Sequence, residues 1–73
     1  MNKLKENLLE DLKLLGLPVD FDLDIRGYSK RYYGRYDANI SKVILYPLDE
    51  DLKIKEYDEL FRTTLHEVLH HYQ

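Results

Sequence analysis

The 73-residue chain predicts a small α+β domain: an amphipathic helix, a short antiparallel or mixed sheet of three strands, and a second amphipathic helix. Three observations lead there. Leucines recur at helical spacing in the first fifteen residues, a strictly alternating segment follows with a tyrosine-rich hairpin pattern behind it, and a helical period resumes near residue 55. A chain of this size buries only about 60% of the surface its unfolded form exposes, so the expected domain is single and of marginal stability.

The first helix is read over residues 2–15, where Leu4, Leu8, Leu12 and Leu15 form one apolar face with Leu9 and Leu14 beside it. Asn2 is placed to cap its start, and Gly16 followed by Pro18 ends it. In the next segment, "VDFDLDI", Val19, Phe21, Leu23 and Ile25 alternate with Asp20, Asp22 and Asp24, the pattern of a strand with one wet face. "KRYYGRY" is rich in β-forming tyrosine and leads through Asp37, Ala38 and Asn39, good turn residues, into "KVILY", which together predict a hairpin. Pro47 and the acidic "DED" then break the sheet.

The second helix begins near Lys55 or Glu56 and runs to the end of the chain. At about 100° per residue, Tyr57, Phe61, Thr64, Leu65, Val68 and Tyr72 form the stripe expected to face the core. His66 and His70 lie about 140° to 180° from it, on the face pointing away from the sheet. Both helices are expected on one face of the sheet, because each offers a single apolar stripe.

The composition limits the chemistry. With no cysteine there is neither a disulfide nor a thiolate metal site, so any metal must be held by histidine and carboxylate. The longest apolar run, Val43 to Leu48 with Pro47 inside it, is too short to cross a bilayer, and Glu6, Glu10 and Asp11 interrupt the leucines where a signal peptide would need an apolar stretch. A cytoplasmic protein without membrane partners is expected. Charge is uneven: Arg26 to Lys42 carries five cations against one anion, whereas the segments on either side are acidic.

The closing stretch "RTTLHEVLHHYQ" holds His-Glu-Val-Leu-His. Positions four apart on a helix are separated by about 6 Å of rise and 40° of rotation, so the imidazoles of His66 and His70 can converge on one Zn2+ ion, with Zn–N distances of about 2.0–2.1 Å. Glu67 projects about 100° around the helix from His66, outside the ligand set and toward the water that the ion activates. It can take that water's proton as a general base while the oxygen attacks a carbonyl, which is amide hydrolysis. His71, about 100° from His70, cannot join the same site and is expected to pack or to meet solvent.

Taken with "GRYDANISKVILYP" and "YDELFRTTLHE", this motif resembles the zincin metallopeptidases, in particular the SprT-like family with its small phage and bacterial members. The likeness covers roughly the last two thirds of the chain, and only the H-E-x-x-H portion is highly specific. It implies a zincin-like fold, a peptide or protein substrate, His66 and His70 as zinc ligands, and Glu67 as the catalytic base. A third ligand is implied too, usually a histidine on a segment well beyond the motif helix. The chain departs from the pattern there: nothing follows Gln73, and Glu59 sits about 10 Å along the helix from His66. No third metal ligand is therefore expected within these residues, and 1–73 reads as the N-terminal part of a longer domain, weak in zinc binding and poor in turnover as it stands. Peptidases that cleave phage repressors also set a hairpin before H-E-x-x-H, but the "HHYQ" ending fits the SprT-like group better.

The same resemblance makes the outer strand of the hairpin, around Arg31 to Tyr36, the edge that pairs with an extended substrate. Tyr32, Tyr33, Gly34 and Arg35 become candidate substrate-binding residues, with Gly34 permitting close backbone approach. A rival function comes from "RGYSKRYYGRY", where Arg26, Lys30, Arg31 and Arg35 interleave with Tyr28, Tyr32, Tyr33 and Tyr36. Stacking aromatics beside phosphate-pairing cations are what a single-strand nucleic-acid binder needs, and the SprT-like resemblance allows a peptidase that associates with DNA. A catalytically inactive scaffold is the third reading.

Overall fold

The computed structural model describes residues 2–73, with the side chain of Asn2, the expected helix cap, outside what is described. Helix α1 spans Asn2–Leu14, strand β1 Asp22–Ile25, β2 Gly34–Asp37, β3 Lys42–Leu45, and helix α2 Tyr57–His71. This is the expected α+β order. The sheet is mixed: β3 is central, β1 lies parallel to it on one side, and β2 lies antiparallel on the other.

Alternation along the strands sorts the side chains. Leu23, Val43 and Leu45 point to one face, where they meet Leu8 and Leu12 of α1 and Leu60 and Val68 of α2 in a single buried cluster. Both helices therefore cover the same face, as their apolar stripes predict. Each of these aliphatic side chains is at most 2% exposed and stabilises the fold by about 1.5–3 kcal/mol through burial. Thr64 is buried among them, its hydroxyl satisfied by donating to the Leu60 carbonyl at 2.8 Å. The other face is polar. Ile44 sits at its centre between Asp24 and Arg35, with Lys42 reaching Asp22 at 3.8 Å.

The elements are shorter than their sequence patterns. Strand β1 starts at Asp22 rather than Val19, because its partner β3 starts only after the turn at residues 38–41 and the first bond joins the Asp22 amide to the Ser41 carbonyl. Strand β2 starts at Gly34 rather than near Lys30, because the Ser29 hydroxyl accepts bonds from the amides of Arg31 and Tyr32 and curls the chain there. Helix α1 stops before Leu15, and Leu14 and Leu15 are exposed, since Gly16 at φ +83° ends the helix.

The buried face of α2 is also rotated. Leu60, Thr64 and Val68 are its buried residues, which shifts the core direction by about 50° from the expected stripe and leaves Tyr72 exposed. Leu60, outside the expected stripe, packs into the core and draws the buried face toward itself. Among the described residues, no helix is long and apolar enough to cross a membrane.

Candidate metal centre

Helix α2 forms because its apolar residues recur at helical spacing, with Asp58 and Glu59 in the first turn, where carboxylates are favourable for the helix dipole. Its position against the sheet is set by Gly34. A Cβ at Gly34 would lie 2.8 Å from Cγ2 of Thr63 and 3.2 Å from the Ile44 carbonyl oxygen, so a side chain there would require Thr63 of α2 to shift. The same point is 3.5 Å from Cγ of Glu67. The close approach that Gly34 permits on the inner face is thus that of the motif helix, and it holds the Glu67 stem against β2.

One turn of helix brings His66 and His70 together on the exposed side. Their Nε2 atoms stand 3.3 Å apart, with the rings nearly perpendicular at 88°. Two nitrogens bound at about 2.0–2.1 Å at adjacent corners of a tetrahedral ion would be about 3.3 Å apart. The pair already has the separation of two ligands on one zinc. A direct hydrogen bond between them is the other use of that spacing, and it requires a hydrogen on Nε2 of one ring and a free lone pair on Nε2 of the other. Among the described residues, no group of three His, Cys, Asp or Glu side chains gathers where one ion could be held. The two imidazoles fit zinc as a partial ligand set.

Two shallow hollows meet beside this pair. Arg31, Tyr33 and Arg62 bound the one on the His66 side, Arg35 and Tyr36 bound the one on the His70 side, and Tyr32, Gly34 and Glu67 line both. The fold therefore brings all four hairpin residues singled out in the sequence, Tyr32, Tyr33, Gly34 and Arg35, next to His66, Glu67 and His70. A larger hollow lies between residues 28–30 and 49–59, where lysine and glutamate are mixed and no histidine reaches.

No protein-family model, curated protein or solved structure matches this chain.

The interleaved cations and tyrosines of 26–36 do not form one continuous platform. Arg26 is bound to Asp24 at 2.7 Å, Arg35 lies over the Tyr32 ring at 5.7 Å, Lys55 lies over Tyr33 at 4.2 Å, and Tyr36 turns inward to His71. Tyr28, Tyr32 and Tyr33 remain exposed.

Of the two roles expected for His71, packing or solvent contact, the structure shows packing. His71 is 12% exposed and sits edge-on to the rings of Phe21, Tyr36 and Tyr72. Its Nε2 lies 2.9 Å from the Asp20 carboxylate and its Nδ1 2.6 Å from the Tyr36 hydroxyl. A carboxylate only accepts, so Nε2 carries a proton and donates to Asp20, while Nδ1 and the Tyr36 hydroxyl share a hydrogen bond. The Tyr72 hydroxyl donates to the Pro18 carbonyl and also reaches Asp20. The hydrogen bond from His71, and then that from Tyr72, hold the Asp20 carboxyl below its ordinary range; burial, and then Asp20, push the Tyr72 phenol up. These contacts fix the last turn of α2, whose Tyr72 cap lacks a left-handed terminator. The signal was available: His71 falls in the same helical sector as Leu60 and Thr64.

Proposed function

We propose that this domain is a zinc-dependent metallopeptidase of SprT-like type, with a zincin-like arrangement of edge strand and motif helix. His66 and His70 are the zinc ligands, Glu67 is the general base, and the substrate is a peptide or protein segment in extended form. The observation that carries the reading is the 3.3 Å separation of the two Nε2 atoms directly beside Glu67 and the open edge of β2. A catalytic zinc site has three protein ligands and an open position, so the remaining donor comes from outside the described side chains.

Zinc, when bound, supplies the Lewis acidity that makes water a nucleophile near neutral pH and polarises the carbonyl. Glu67 removes the proton from the attacking water and delivers it to the amine that leaves when the C–N bond breaks. Its half-buried stem, held against Gly34, restricts the carboxylate to the cleft between α2 and β2. Strand β2 orients the peptide. The Tyr33 carbonyl accepts from the Tyr46 amide on the β3 side, and the alternation of an antiparallel ladder then turns the backbone groups of Gly34 and Tyr36 to the free edge.

Zinc titration of the chain by calorimetry tests the assignment, with Glu67→Gln as the companion variant. Binding that survives Glu67→Gln but is lost in His66→Ala and His70→Ala supports it. Binding that needs neither histidine refutes it.

A further inference from the structure

We infer that the cleft selects substrate segments bearing acidic side chains on both sides of the bond to be cut. This rests on the peptidase reading and adds the substrate class. The chain as a whole is acidic, with a formal charge of -3, yet the cleft beside the two histidines is bordered by Arg31 and Arg62 at one end and Arg35 at the other. Among the described residues, none of these three guanidinium groups has a carboxylate within salt-bridge distance, whereas Arg26 and Lys42 do. Arg31 and Arg35 are exposed, and Arg35 is steadied over the ring of Tyr32, which lies between the two hollows. A strand laid along the free edge of β2 passes these cations before and after it passes Glu67, and carboxylates at those positions pair with guanidinium forks.

The boundaries of the patch favour a short acidic peptide over a nucleic acid. Beyond Arg62 stand Glu56, Asp58 and Glu59, and beyond Arg35 the strand continues to Asp37. A polyanion that carries a phosphate at every step would run into carboxylates at both ends. A strand with a few acidic side chains and neutral ends would not. Two of the tyrosines that could stack on bases are already covered by Arg35 and Lys55.

The test is fluorescence anisotropy with the 73-residue chain and three labelled probes: an extended peptide with glutamates flanking a neutral centre, its lysine counterpart, and an oligothymidylate of equal charge to the glutamate peptide. The glutamate peptide should bind at least about tenfold more tightly than the lysine peptide, with a preference that weakens as salt rises. Arg35→Glu and Arg31→Glu should each reduce that preference, and Arg35→Lys should retain part of it. Circular dichroism of the same variants checks that these exposed substitutions leave the fold intact. Equal binding of the two peptides, or tighter binding of the oligothymidylate, overturns the inference. Zinc calorimetry on the same samples separates the two claims: zinc binding without acidic preference removes the substrate class alone, while acidic preference without zinc binding removes the peptidase reading and leaves a cleft that binds acidic peptides without cutting them.

Discussion

The Tyr36 hydroxyl lies 2.6 Å from Nδ1 of His71, and this contact ties the edge strand of the sheet to the last turn of the helix that carries His66 and His70. With Asp20 on the other ring nitrogen, His71 links β2, the last turn of α2 and the segment before β1.

Tyr36→Phe removes one hydrogen bond and should cost about 1 kcal/mol of stability. His71→Ala removes two hydrogen bonds and three edge-on ring contacts and should cost about 2–3 kcal/mol. Urea denaturation of both variants and of the double variant checks this. The double variant should be more stable than the sum of the single losses implies, because the two residues share a bond.

Gly34 offers a steric test. Gly34→Ala should destabilise by about 1–3 kcal/mol, since the new methyl must displace Thr63 of α2. Adding Thr63→Ala should return part of the loss by removing the methyl at 2.8 Å, but not all, because the Ile44 carbonyl at 3.2 Å belongs to the backbone of the central strand. Thermal melts of the single and double variants decide the point.

The Tyr57 phenol is pushed up to about 12, first by burial and then by the Asp11 carboxylate that accepts its hydrogen bond. Between the ordinary value of 10.0 and about 12 the folded chain keeps this proton while the unfolded chain loses it, so the contribution is complete below the lower value and disappears as pH rises through the upper. Wild type should therefore lose stability more steeply than Tyr57→Phe across that window. Urea midpoints measured along an alkaline pH series give the difference. Equal slopes would contradict the account.

How much of this could be read in the sequence follows from how local each feature is. The faces of α1 and α2, the break at Pro47 and the hairpin turn are written in neighbouring residues, and the exposed placement of His66 and His70 follows from helical spacing alone. The parallel pairing of β1 with β3 is not local, because alternation fixes which face Leu23 takes but not which strand it lies beside. His71 is the clearest case. Its partners Tyr36 and Asp20 lie 35 and 51 residues earlier, and only the folded arrangement brings them to its two ring nitrogens. The sequence marks Gly34 as a place where a substrate backbone can come close, whereas the element that approaches its inner face is α2.

The central claim is that His66 and His70 bind zinc while Glu67 serves the chemistry. Calorimetric titration of zinc into the 73-residue chain, with His70→Ala and Glu67→Gln beside it, tests this most directly. The account predicts one ion per chain, held more weakly than at a site with a full ligand set. Binding should be unchanged in Glu67→Gln and reduced in His70→Ala by more than the roughly 10–100-fold that loss of an outer partner costs. An absence of binding, or an equal loss in the two variants, would contradict it.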